Sequence, residues 1–281
     1  MPKIAMVFDL IRWEEKAIIE AAKRKGVDLV LQDAREMFMD LSKNSTEIGD
    51  LVLQRCVGYY RKYHLTAALE QTGVTVINGF EQTVRAGNKL LTSLLLSRAG
   101  IPTPRTMLAF TPEAALKALG ELGYPAVLKP TVGSWGRLIA LLKDEESAEA
   151  VLEDREFMFP AYQVYYLQEK VERPPRDIRS FVIGDRVVAA IYRTSGPRDW
   201  RTNTARGGKA ENCPIDKELE EISLRAARVV GDGIYGIDCM ETPNGLVVHE
   251  VNNTIEFKNT VPATGIDIPG LIVDYLLTAM R

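Results

Sequence analysis

Residues 246–260, LVVHEVNNTIEFKNT, constrain the fold of this chain more than any other stretch. They open as an apolar run, Leu246-Val247-Val248, that reads as a buried strand, and then deliver Glu250 and Asn252. Side chains two apart on a strand point to the same face. Gly236-Ile237-Asp238 ends an earlier apolar run, so Asp238, Glu250 and Asn252 can converge as oxygen donors around one site. Acids that face inward from a strand are costly unless something cationic neutralises them. Carboxylate and amide oxygens suit Mg²⁺, which takes its remaining ligands from water and nucleotide phosphates. The first reading is therefore a metal–nucleotide site held on a sheet. His249 precedes Glu250 and on a regular strand faces the opposite side, where packing is its expected role.

At 281 residues the chain has room for two or three small lobes with good cores. A net charge of −3 supplies no bulk electrostatic drive toward nucleic acid. The run at residues 3–8 is strand-length and ends at Asp9, unlike a signal peptide, and no apolar stretch is long enough to span a bilayer. Cys56, Cys213 and Cys239 are scattered without metal-ligand spacing, which suits a reducing cytoplasm. The expectation is a cytoplasmic protein with neither nucleic-acid nor membrane partners.

Three consecutive lobes follow from the patterning. Residues 1–85 alternate short apolar runs (4–8, 28–31, 51–54, 74–77) with helical segments (13–25, 63–71), which predicts a parallel α/β layer. A helix at 89–99 precedes Pro102 and Pro104. The second lobe, 86–172, carries a helix at 112–122 with Thr111 as N-cap, then strands at 126–129, 138–142 and 165–171. The third lobe, 173–281, opens with a hairpin, 180–183 and 187–192, around Gly184-Asp185. A helix at 217–230, the strands of Asp238 and Glu250, and a helix at 270–280 complete it.

Lys129 ends a buried strand, and Gly133-Ser134-Trp135-Gly136-Arg137 separates it from the next. This is not a Walker loop, because no GxxxxGK[ST] is present. A strand–loop–strand can still fold over phosphates through its backbone N–H groups, helped by Arg137; the same glycines also fit a plain hairpin turn, and Lys129 a snorkelling lysine. Arg179 and Arg193 alternate with apolar residues, and Arg201, Asn203 and Arg206 lie in WRTNTARGGKA. So many cations point to anion recognition, or else to solvated charge on a hairpin face. Arg55, Tyr59, Tyr60, Arg61 and Lys62 form a short basic aromatic cluster, better suited to an acidic partner or the first-lobe cleft than to nucleic acid.

Taken in order, Lys129, GSWGR, QEKV, RDIR, RTNTARGG, Asp238 and the E-V-N of 250–252 resemble the ATP-grasp superfamily. Within it they resemble the RimK-like ligases, in the branch that loads amino acids onto a small acidic carrier protein. The resemblance implies an α/β ATP-grasp fold with an N-terminal parallel lobe, a small central lobe and a larger C-terminal lobe. It implies that Lys89 and Lys129 hold ATP phosphates, that residues 133–137 cover them, and that adenine lies against Gln168, Glu169, Lys170 and Val171. Asp177 would sit near the ribose, Arg201 and Asn203 would serve ATP, and Asp238, Glu250 and Asn252 would hold Mg²⁺, as two ions. Arg179 and Arg193 would be catalytic. Arg193, Thr204, Ala205, Arg206, Glu256, Phe257, Lys258, Asn259 and Thr260 would bind substrate. The implied chemistry activates a carboxylate as an acylphosphate, which an amine then attacks; the carboxylate is that of the carrier's C-terminal glutamate. In this branch Asn-Thr or Asn-Ser after Glu-Phe-Lys accompanies 2-aminoadipate as amine donor, and Gly-Phe accompanies glutamate. Asn259-Thr260 is the aminoadipate form; glutamate as donor, or glutamate ligation to a ribosomal protein, are the alternatives. Members of the branch are homo-oligomers, dimers or tetramers.

Overall fold

Five consecutive apolar residues, Ile4–Phe8, form β1, and all five are buried. A strand apolar on both faces belongs inside a parallel layer. In the computed structural model, which describes residues 3–42, 47–133, 136–195, 202 and 209–280, β1 has β2 (Leu29–Asp33) on one side and β3 (Leu51–Gln54) on the other. β4 (Thr75–Ile77) lies beyond β3, and every pairing is parallel. Helix α1 (Trp13–Arg24) connects β1 to β2, α2 (Tyr59–Gln71) connects β3 to β4, and α3 (Phe80–Gly87) follows. α2 begins four residues before the periodicity suggests. Its start is set from a distance: Asp9 accepts the backbone N–H groups of Val57 (2.8 Å) and Gly58 (3.0 Å) and pairs with Arg61.

Helix α4 (Lys89–Arg98) leads to an antiparallel sheet whose strands are β5 (Thr106–Ala109), β6 (Ala126–Lys129), β7 (Ala140–Leu142) and β8 (Tyr165–Glu169), in the order β5-β8-β6-β7. α5 (Pro112–Leu122) and α6 (Glu145–Glu156) cover it. Thr111 caps α5 as expected, accepting from the N–H of Ala114. β7 is shorter than its apolar run because Leu138 takes a positive φ of 56° in the turn after the glycine loop. β5 has too few residues for its alternation to be legible, and its partner β8 defines it.

The third sheet is antiparallel, ordered β11-β10-β9-β12-β13. Its strands are β9 (Arg176–Ile183), β10 (Arg186–Thr194), β11 (Ala210–Asn212), β12 (Ile234–Thr242) and β13 (Gly245–Asn252). Gly184, at φ 60°, makes the two-residue β9–β10 turn. α7 (Lys217–Val230) buries Leu219, Ile222, Ser223, Ala226 and Val230, the face its periodicity marks. Short α8 (Thr260–Thr264) packs on β10 and β11, and α9 (Ile268–Ala279) lies on α1. Among the described residues no helix is long and apolar enough to cross a membrane.

One core joins the first and third sheets, with Met6, Phe8, Leu53, Phe181, Ile191, Phe257 and Ile272 in the same cluster. The central sheet has its own, around Leu119, Leu128, Leu152 and Leu167. Polar side chains of the N-terminal layer then hold the segment after β13. Glu14 accepts the N–H groups of Phe257 (3.2 Å) and Lys258 (3.0 Å), Arg55 donates to the carbonyl of Ile255 (3.1 Å), and Asn78 donates to that of Asn253 (3.1 Å). Arg55 and Arg12 are in turn held by Glu15, whose side chain is wholly buried. Burial alone would raise the Glu15 carboxyl; Arg55 and then Arg12 overcome it and hold it down at about 2.

A carboxyl depressed from about 4.5 to about 2 carries roughly 3 kcal/mol of stability. Because the folded-state value lies below the unfolded one, that contribution is complete above about pH 4.5 and is lost as pH falls toward 2. Glu15→Gln should therefore lower stability at pH 7 by about 3 kcal/mol, read as a shift of the urea midpoint. Its stability should also fall less steeply than the wild type's between pH 5 and 2.

Candidate active site

β12 and β13 pair antiparallel, so Asp238 stands opposite Glu250 and Gly236 opposite Asn252. Ile237, Cys239, Val248 and Val251 turn into the core beneath, while Asp238, Met240, Glu250 and Asn252 line a cleft of about 380 Å³. The alternation has one irregularity. Register passes from Asp238–Glu250 directly to Cys239–Val248, which leaves His249 as an extra residue in a β-bulge. The bulge brings His249 to the cleft beside Glu250, where a regular strand would have turned it into the core. The sequence carries a sign of this: two consecutive polar residues, 249 and 250, between Val248 and Val251 do not fit a period of two.

Asp238 is 3% exposed and is held by two arginines. Arg179 grips both its oxygens (Nε–Oδ1 2.6 Å, Nη2–Oδ2 2.7 Å), and Arg193 reaches it at 3.2 Å. Burial by itself would raise this carboxyl; Arg179 and Arg193 instead hold it far below the ordinary carboxylate range. Arg193 simultaneously donates to both oxygens of Asp177 (2.7 and 2.8 Å), which also accepts from the hydroxyl of Thr202. Lys89 pairs with Glu250 at 3.2 Å and donates to the carbonyl of Gly133 at 2.7 Å. Lys129 donates to Gln168 Oε1 at 2.6 Å; burial first, with Lys89 nearby, lowers its ammonium to about 8 against the pull of Glu250. Burial, then Lys129, pushes the His249 imidazole well below its usual value, and among the described residues neither ring nitrogen has a hydrogen-bond partner.

These donors fit a hard divalent cation. Asp238 and Glu250 offer carboxylate oxygens, and Asn252 already touches Asp238 (Nδ2–Oδ2 3.3 Å), so a half-turn of its amide presents an oxygen instead. The Arg179 guanidinium occupies both Asp238 oxygens, as a cation does. The expected metal residues are thus together in one cleft, with Lys89 between them and the glycine loop.

Other expected site residues fall differently. Gly133, Gly136, Asp177, Arg179, Arg193 and Glu256 line the cleft, with Lys89 and Lys129. Gln168, Glu169, Lys170, Val171 and Arg137 are not among its lining residues. Gln168 is buried behind Lys129, and Glu169 accepts the N–H of Arg105. The Phe257 side chain is in the core against Trp13, so only its backbone and neighbours remain for a substrate role. Lys258 and Asn259 are exposed, and Thr260 is buried with its hydroxyl unpartnered at the start of α8. Ser134, Trp135, Arg201, Asn203, Thr204, Ala205 and Arg206 lie outside the described residues. Sequence reasoning missed Arg12, Arg173 and His249 as cleft residues. Tyr59 and Lys62 belong to the basic aromatic cluster, for which the first-lobe cleft is one of two readings; Arg12 and Arg173 carry no local signal.

Residues 86–276 match the RimK-like ATP-grasp domain, and residues 4–86 match the LysX preATP-grasp domain. The cleft between these sheets is thus that of an ATP-dependent carboxylate–amine ligase, and the chain belongs to the RimK-like ATP-grasp family. Over 275 residues it is 37% identical to the alpha-aminoadipate–LysW ligase LysX of Sulfurisphaera tokodaii, covering 96% of each chain. Against the glutamate–LysW ligase ArgX of the same organism it is 34% identical over 276 residues, covering 98% of each. A RimK domain ATP-grasp protein from Sphaerobacter thermophilus has the same fold, with a TM-score of 0.83 at 26% identity, covering 98% of this chain and 99% of that one. The ATP-grasp resemblance drawn from the ordered motifs is borne out.

Lys129→Met should weaken MgATP binding by about tenfold to a hundredfold, the worth of one charged hydrogen bond. Titration with a fluorescent ATP analogue reads the change; affinity within twofold of wild type would remove Lys129 from the nucleotide site.

Proposed function

We propose that the protein joins 2-aminoadipate to the side-chain carboxylate of the C-terminal glutamate of a small acidic, LysW-like carrier protein, at the expense of ATP. The observation that carries this reading is the acid–amide corner of Asp238, Glu250 and Asn252 beside Lys89, in a chain that ends its site segment with Asn259-Thr260. Lys89 and Lys129 neutralise the phosphates, and residues 133–137 are proposed to cover them. Mg²⁺, as two ions held by Asp238, Glu250 and Asn252, would supply charge neutralisation on the triphosphate. Gln168, Glu169, Lys170 and Val171 present backbone to adenine on the far side of Lys129, and Asp177 faces the ribose. Arg201 and Asn203 complete the nucleotide contacts.

The γ-phosphoryl group passes to a carboxylate oxygen, giving an acylphosphate and ADP. The amine nitrogen then attacks the acyl carbon, the C–O bond to phosphate breaks, and the nitrogen loses a proton as the amide forms. No side-chain nucleophile is needed; positioning and fixed positive charge do the work. Arg179 and Arg193 are locked in place by Asp238 and Asp177, so their charge costs no reorganisation when the transferred group becomes more anionic. Thr260 and Asn259 start α8, which packs under β10 and β11. In sequence Thr204, Ala205 and Arg206 fall between those two strands, and they are proposed to hold the amino acid together with Arg193, Glu256, Phe257, Lys258, Asn259 and Thr260.

The comparably similar glutamate-using relative keeps a second donor open. A coupled ADP-release assay separates the two. ADP should appear only when carrier, 2-aminoadipate and Mg²⁺ are all present, and Asp238→Asn should reduce the rate by about 10²–10³-fold or more. Equal or faster turnover with glutamate would reassign the donor, and unchanged activity of Asp238→Asn would refute the metal corner.

A further inference from the structure

Lys62 stands in the first turn of α2 and lines the cleft from the N-terminal side, together with Arg12, Val57 and Tyr59. It is 6% exposed. Its Nζ donates to Asn253 Oδ1 and to Thr254 Oγ1, both at 2.9 Å, the two residues that directly follow the metal strand. The neighbouring cations are matched by acids. Arg12 has Glu15 and Glu256, Arg55 has Glu15, Arg61 has Asp9, and Lys89 has Glu250. Lys62 has neutral oxygens only, and no carboxylate among the described residues forms an ion pair with it. Burial, then the nearby Arg55, lowers its ammonium to about 8.

A buried ammonium with no counter-charge costs several kcal/mol, and tying α2 to residues 253–254 requires only a neutral donor. An ammonium also has three N–H donors, and two are used here. Lys129, another buried lysine of the cleft, likewise donates to a neutral oxygen, that of Gln168, and its proposed ligand is an anion. We infer that Lys62 is an anion-binding residue of the active site that receives a carboxylate of a substrate, one that is not activated. The phosphate end of the cleft is already provided with Lys89, Lys129 and the glycine loop. Lys62 stands instead on the wall of α2 and the 253–256 segment, where a single positive charge between neutral oxygens suits a monoanion. Both substrates of the proposed reaction carry such a group: the amino acid has its own carboxylates, and the carrier has its terminal α-carboxylate. The inference rests on the ligase reading, and its role is one of binding and positioning.

Two variants test it: Lys62→Gln, which keeps hydrogen bonding to Asn253 and Thr254 without the charge, and Lys62→Arg, which keeps the charge. Isothermal titration in the presence of MgADP uses 2-aminoadipate and, separately, a peptide with the carrier's C-terminal sequence ending in glutamate. At least one ligand should bind Lys62→Gln ten times more weakly or worse, with Lys62→Arg within about threefold of wild type and MgADP affinity equal in all three proteins. The ligand that loses affinity identifies the source of the carboxylate. Affinities within twofold for both ligands, or a fall in melting temperature alone, would make Lys62 a structural tie and overturn the inference. Failure of the wild type to bind either ligand would overturn it as well. Turnover of the wild type, measured in parallel, judges the ligase reading separately: absent ADP release with intact, Lys62-dependent binding would sink that reading and leave Lys62 as an anion site.

Discussion

The cleft depends on Glu15. This wholly buried carboxylate of α1 binds Arg12 and Arg55, and those two arginines hold Glu256 and the carbonyl of Ile255. With Glu14 on the backbone of 257 and 258, and Asn78 on that of 253, the N-terminal layer grips the chain just after β13. A buried ion network is weak evidence for net stability, since desolvation offsets most of its attraction. Its use here is geometric. It fixes where β13 ends and where the segment toward α8 begins, and so fixes how the acid–amide corner faces Lys89 and Lys129.

The cleft's charges divide into two kinds. Asp238, Asp177, Glu250, Arg179, Arg193 and Lys89 are paired with one another and hold each other in position. Lys129, Lys62 and His249 are buried against neutral groups or against nothing. The first set is preorganised scaffold, and the second is desolvated capacity for ligands. Distributing the charges this way confines the uncompensated cost of desolvation to the few groups that a ligand can neutralise.

Much of this was legible from sequence where one local rule dominated. Thr111-Pro112 began a helix, Gly184-Asp185 turned a hairpin, and the 217–230 periodicity chose the buried face of α7. Asp238, Glu250 and Asn252 were legible because strand alternation forces acids together and only a cation explains them. Failures came where a distant partner decided. α2 begins early because Asp9, some fifty residues away in sequence, anchors the backbone that enters it, and β5 exists because β8 pairs with it. Phe257 belongs to a site motif yet fills the core, since alternate residues of that segment serve the core and the cleft in turn. Arg12 and Arg173 reached the cleft through tertiary packing that no spacing announces.

The bulge at His249 has a consequence for how such a site can diversify. Without the extra residue, β13 would still alternate Val248, Glu250, Val251 and Asn252 between core and cleft as it does now. His249 is therefore an added position, supernumerary to the ladder, with a side chain delivered to the reaction chamber and no hydrogen-bond register depending on its identity. Chemistry at that point can drift among polar, aromatic and aliphatic choices while Glu250 beside it and Asp238 on the paired strand stay put. In this chain the position holds a neutral imidazole, beside a lysine, with both nitrogens available to whatever enters.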